Sequence, residues 1–360
     1  MLACASSGAG SGSTPAPIPS LVNSPLSKKT VYGFFPSPPE ISQQSVFDLY
    51  KALGQHADVV LLQENIPWSD FSKSPDAPSQ TITDIHNQYV LAHQNGMEVI
   101  FVADPLNGLN RSQFYNLPKG WQPSFATPEV RSAYTNFVLR IVREFHPHYL
   151  GLASEINTYA DTHPQDFPNF LSLYKNVYDQ VKAEEPDTQI FVTFQWEELN
   201  NLVPIPGNSR RAYQINWKNV EIFEPKLDLW VISSYPFVVF KSGADIPSDY
   251  YSLLLGRTKK PLAVAEGGFT SKDVGSLHGS TQDQIDYLNA IHSQIGSRLA
   301  FWIYLLFNDF NLSSYAGMMI LSGHAADIMT LGMFTSLGLR QYDGTPKPAL
   351  TTWDQFRSGP

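Results

Sequence analysis

From residue 30 onward, short apolar bursts alternate with longer segments whose apolar positions recur at helical spacing. The bursts fall at 30–35, 59–63, 98–103, 149–155, 189–194, 227–235, 262–266 and 300–307. Each is about the length of a strand buried on both faces, bounded by turn or polar residues, which is the look of a parallel strand. Between them the periodicity predicts helices at 45–55, 82–95, 128–145, 167–184, near 249–255, at 281–295 and at 348–356. Gly96 stands where a left-handed C-cap closes the second helix, and Thr127 with Pro128 reads as the N-cap and first position of the third. Pro204 and Pro206 break the pattern, so 200–225 is expected to be irregular with short helical turns, and 308–337 a long loop.

Eight such units and no ninth predict an α/β protein built as a single (β/α)8 TIM barrel over residues 29–360. A doubly wound open sheet usually has fewer strands, and no Gly-rich phosphate loop follows the first burst. Residues 1–28 are Ser, Gly, Pro and Ala with few large apolar side chains, and are expected to form a flexible tether.

At 360 residues and 42% hydrophobic the chain can bury a large core, and a formal charge of −9 disfavours a polyanion such as nucleic acid as the partner. The single cysteine, Cys4, rules out an intramolecular disulfide and a cysteine-based zinc site. Met1-Leu2-Ala3-Cys4 resembles the end of a bacterial lipoprotein signal, in which the cysteine would carry lipid as a membrane tether. On that reading the protein works outside the cytoplasm, secreted or lipid-anchored at the cell surface; the alternative is a cysteine without such a role. The nine histidines show no ligand spacing, so neither a metal nor a cofactor is expected.

Two bursts end in a carboxylate: Glu155 after Leu152-Ala153-Ser154, and Glu266 after Ala263-Val264-Ala265. In a β/α barrel the C-terminal lip of the strands carries the chemistry. If alternation along each strand points both glutamates into the mouth, they can face each other as the paired acids of a retaining glycosidase, about 5–5.5 Å apart. A lone glutamate at a strand end is as well explained as a cap or an ion-pair partner. A pair of them points to catalysis.

These motifs, with Asp228 to Phe237 and the closing Leu337 to Ala349, make the chain resemble clan A glycoside hydrolases, most similar to the arabinogalactan endo-β-galactanase type. The resemblance implies a carbohydrate substrate, Glu155 as general acid/base, Glu266 as nucleophile, and Tyr235 as the phenol that holds the nucleophile. Ser154 and Asn157 flank the acid/base as supporting residues. On the same reading Glu266 stays ionised while Glu155 is held protonated. Two departures stand out: Ser154 occupies the usual place of an Asn, and Gln63, followed by Glu64 and Asn65, the usual place of an Arg.

Gln63, Asn65, Trp68, Trp196 and Trp302 are the candidate substrate-binding residues, the tryptophans as faces for sugar rings. Glu64, Asp104, Glu197, Glu198 and Asp309 also lie at or just beyond strand ends, where they could bind sugar hydroxyls or replace a catalytic partner; surface solvation is the favoured explanation for each. His146 and His148 precede the fourth strand, at the bottom of the barrel, where a structural role is expected. Ser154 and Gln63 keep open a carbohydrate-binding barrel that has lost hydrolysis. A third alternative is an unrelated barrel enzyme using Glu197 or Asp104.

Overall fold

The computed structural model describes residues 26, 29–205 and 210–359. The predicted tether at 1–28, with Cys4, lies outside the described residues apart from Leu26. The strands are β1 (Val31–Phe34), β2 (Val59–Asn65), β3 (Glu98–Asp104), β4 (Tyr149–Gly151), β5 (Gln189–Phe191 continuing as Thr193–Gln195), β6 (Trp230–Ser234), β7 (Leu262–Gly267) and β8 (Leu299–Tyr304). All neighbours pair in parallel, and β8 returns to β1 in the register Val31↔Phe301 to Phe34↔Tyr304. The ring closes through β5: its first half pairs with β4, and its second half, beyond Val192, pairs with β6. The molecule is a (β/α)8 barrel, as the sequence predicts.

The strands read as apolar runs because both faces are covered, and nearly every strand residue is buried. Pro128–Phe145, Phe167–Glu184 and Thr281–Ile295 have the predicted limits. Ser280 accepts from the Asp283 backbone N–H at 3.2 Å and donates to the Asp283 carboxylate at 2.6 Å, closing the start of the last of these helices. Gly96 takes a φ of 76°, as a left-handed C-cap requires. Thr127 sits at the N-cap, but its hydroxyl donates back to Gln122 O at 3.0 Å instead of capping the helix.

Other elements differ from expectation. The helix expected near 249–255 is a short turn, Leu253–Arg257, and the 308–337 loop holds two helices, Leu312–Leu321 and Ile328–Gly332. Leu312–Leu321 is apolar on most sides, so it lacks the polar stripe that marks a surface helix in sequence.

The C-terminal helix Pro348–Ser358 locks onto β1 and β8 through Trp353. This fully buried ring lies 4.9 Å from Phe34 and 5.3 Å from both Tyr32 and Trp302, and its indole N–H donates to His56 O at 3.0 Å. Trp353→Ala opens a cavity and orphans a carbonyl, and is expected to cost about 3–5 kcal/mol. Urea unfolding measures it; a loss under about 1 kcal/mol would contradict this packing.

Candidate active site

Glu155 and Glu266 meet at the mouth of the barrel, and neither arrives by simple strand alternation. β4 ends at Gly151; Glu155 then adopts a left-handed conformation, φ 48° and ψ 42°, as the N-cap of the short helix Ile156–Thr162. Its N–H donates to Thr193 Oγ1 at 2.7 Å, which helps hold a backbone geometry unusual for a non-glycine residue. Along β7 the register against β6 shifts between Val264 and Glu266, so Ala265 is the extra residue of a bulge and Glu266 lies opposite Ser233. Both carboxyls line a cavity of about 640 Å³ at the C-terminal end of the barrel. The Tyr235 hydroxyl donates to Glu266 Oε1 at 2.8 Å, and the Ser233 hydroxyl donates to Glu155 Oε1.

A cation that the sequence reading missed joins them. After β3 the chain makes a hairpin, Leu106–Asn107 with Asn110–Phe114, that carries Arg111 back over the mouth. Arg111 Nη1 donates to Asp104 Oδ2, Nε donates to Glu155 Oε2 at 3.0 Å, and Nη2 lies 3.9 Å from Glu266 Oε1. Nη2 is buried and has no hydrogen-bond partner among the described residues. Gln63, at the position where the resemblance called for an Arg, donates to Asp104 Oδ2 at 2.8 Å. The cation is therefore supplied from the following loop, and Gln63 braces the aspartate that holds it. Gln63 is thus corrected from ligand contact to positioning residue: it does not line the cavity. The available signal was Asn107-Gly108, an Asn-Gly pair between short strands.

Burial, and next the charge of Glu155, push the Glu266 carboxyl up to about 7, against the opposing pull of Arg111 and the Tyr235 hydrogen bond. The raised value thus falls on the residue expected to stay ionised: Glu266 has only the far end of the guanidinium, at 3.9 Å, and burial outweighs that contact. Burial and the neighbouring carboxylates raise the Tyr235 phenol, which keeps it a neutral donor.

Of the other candidates, Asn65 and Trp68 line the cavity. Asn65 donates to Asp104 O and Leu106 O, at 3.1 and 2.9 Å, and the Trp68 indole donates to Tyr115 O at 2.8 Å. Trp196 and Trp302 are corrected: both are fully buried, Trp196 against Trp217 and Tyr250, Trp302 against Tyr32 and Trp353, and neither offers a face to a sugar. Ser154 is buried against Thr193, Oγ to Oγ1 at 3.1 Å, and is also outside the cavity lining. Asn157 accepts from the Gln195 N–H at 2.8 Å, tying the turn after β4 to β5.

Glu197 is fully buried and accepts from Ser234 Oγ, Tyr235 N and Gln195 Nε2 at 2.6–3.0 Å, fixing the strand end that presents Tyr235. Glu198 accepts from the Thr158 hydroxyl, and Asp309 pairs with Lys347 at 2.7 Å. Glu64 lines the cavity, accepts from Gln88 at 3.1 Å, and is pushed up to about 7 by burial. His146 pairs with Glu185 below β4. Among the described residues no cluster of three or more His, Cys, Asp or Glu could hold a metal ion, and no helix is long and apolar enough to cross a membrane.

The molecule is a (β/α)8 barrel with two acids brought together at its strand ends, and the solved structures that share its fold include glycoside hydrolases. No family model matches the sequence, and no curated protein matches it. Among solved structures the chain is similar to GH5_18 from Bifidobacterium longum subsp. longum ATCC 55813, with TM-score 0.64 and 15% identity over 92% of this chain and 80% of that one. It is also similar to the exo-beta-1,4-mannosidase Op5Man5 from Opitutaceae bacterium strain TAV5, with TM-score 0.63 and 13% identity over 91% of this chain and 59% of that one, so it spans about three fifths of that protein's length. The GH53 catalytic domain of Ignisphaera aggregans matches at TM-score 0.56 and 15% identity, over 92% of each chain. At these identities the likeness is one of fold.

Two measurements test the electrostatics. Arg111→Ala strands Asp104 and Glu155 as buried carboxylates and is expected to cost about 3–5 kcal/mol in urea unfolding; an unchanged midpoint would contradict the network. For Glu266, the native state keeps a proton that the unfolded chain releases between its ordinary value of 4.5 and about 7. Its contribution to stability therefore falls as pH rises through that window. Glu266→Gln removes the effect, so the variant should gain on the parent across that range by up to about 3 kcal/mol. Parallel pH–stability curves would refute it.

Proposed function

We propose that the protein is a retaining glycoside hydrolase acting on an oligosaccharide or polysaccharide by double displacement. The supporting observation is the arrangement of Glu155, Glu266, Tyr235 and Arg111 around one cavity. In this reading Glu266 attacks the anomeric carbon while Glu155 gives its proton to the departing glycosidic oxygen. Glu155 then takes a proton from the water that opens the glycosyl ester and frees Glu266. The roles come from the motif resemblance. Burial favours the proton on Glu266, so the productive form requires it to cross to Glu155 against the pull of the Arg111 guanidinium, which pairs with Glu155 directly and reaches Glu266 only at 3.9 Å. Tyr235 steadies Glu266 as charge leaves it.

The motifs make a β-galactan the first polymer to assay. The Cys4 motif and the Ser-, Gly- and Pro-rich sequence behind it fit an enzyme held outside the cytoplasm at a bacterial surface. A second reading, a carbohydrate-binding barrel without hydrolysis, is favoured by one observation: both Glu155 oxygens are already engaged, by Arg111 and Ser233.

Glu155→Ala and Glu266→Ala are each expected to lower turnover of aryl glycosides by at least about a thousandfold, and azide should rescue Glu266→Ala with an inverted glycosyl azide. The same azide product from Glu155→Ala instead would exchange the two roles. Glycan binding without turnover by the parent protein across a broad panel would replace the hydrolase with the binding barrel.

A further inference from the structure

The walls of the cavity that holds the two carboxyls differ in how many carboxylate and amide groups they offer. On the side of β2 and the helix Gln80–Gln94 it presents Glu64, Asn65, Asp84 and Gln88, with Ile66, Pro67 and Trp68 just past the strand end. On the side of β8 and its following loop it presents Leu305, Leu306, Met318, Met319, Leu331 and Phe334. Tyr315, on the same side, turns its hydroxyl away to donate to Pro38 O. The polar side chains of that loop that reach the cavity are committed to one another or to fixed partners. His324 lies 3.5 Å from Asp327 and stacks on Tyr115 at 4.5 Å, and Asp327 accepts from Asn107 at 2.9 Å. A sugar ring laid on the β8 side would leave its hydroxyls without partners, whereas a hydrocarbon chain or aromatic ring would lose nothing there.

The same two helices leave further apolar surface in solvent. Ile320 is 59% exposed, Leu321 is 90% exposed beside the cavity-lining Ser322, and Met329 is 86% exposed. Because the β8-side wall and the paired acids share one cavity, an occupant spanning both has a polar end, an apolar end and its scissile bond between them.

We infer that the β8 loop forms an aglycone site and that the substrate is a glycoside with an apolar aglycone, such as an alkyl or acyl chain or an aromatic ring. This rests on the glycosidase reading and narrows it. The test is binding of methyl, butyl and octyl β-D-glucosides, galactosides and mannosides below micelle-forming concentration, by calorimetry, to Glu266→Gln. Full burial of a methylene is worth about a fourfold gain in affinity. The octyl glycoside of at least one sugar should bind at least about tenfold more tightly than the butyl. Met318→Glu should erase that gain, and Met318→Leu should keep it. Affinity independent of chain length, no binding of any octyl glycoside, or an octyl preference unchanged by Met318→Glu would overturn the inference. Chain-length-dependent binding by a parent protein that turns over no glycoside would overturn the hydrolase and leave the apolar site standing. Turnover without chain-length dependence would do the reverse.

Discussion

Everything at the mouth of this barrel depends on one guanidinium. Arg111 touches Asp104 and Glu155 and stands 3.9 Å from Glu266, with little solvent to screen any of the charges. Three buried carboxylates so close together would repel one another and protonate without it. With it, one acid is firmly paired and another sits near neutrality, an asymmetry that acid/base chemistry can use. The hairpin after β3, the brace from Gln63 and the aspartate at the end of β3 all serve to deliver that cation.

The barrel was legible because its strands are covered on both faces and its main helices on one, so the apolar period is strong: the limits of Pro128–Phe145, Phe167–Glu184 and Thr281–Ile295 are readable to the residue. The two strand-end glutamates were visible for the same reason. Their geometry was not. Alternation assumes an unbroken strand, and both side chains are re-aimed by local departures, a left-handed residue at Glu155 and a bulge at Ala265, that leave no compositional trace.

Arg111 was hidden differently. It lies in a polar loop whose only marker, Asn107-Gly108, is meaningful once the hairpin is considered, and its partners are contacts between separate segments. Trp196 and Trp302 show the reverse failure. An aromatic near a strand end can face the mouth or the helices, and the sequence does not say which; here the clusters formed with Trp217, Tyr250 and Trp353 place both in the core.

The interruption of β5 at Val192 gives the cylinder a seam. The strand ladder changes partner there, from β4 to β6, yet bonds cross on both sides of it: Thr193 N–H donates to Ala153 O at 3.1 Å above, and Asp228 N–H donates to Ile190 O at 2.9 Å below. The stitches above the seam are the same bonds that hold the acid, since Thr193 Oγ1 takes the Glu155 N–H and Asn157 takes the Gln195 N–H, so the rim and the aim of Glu155 are fastened by one set of contacts.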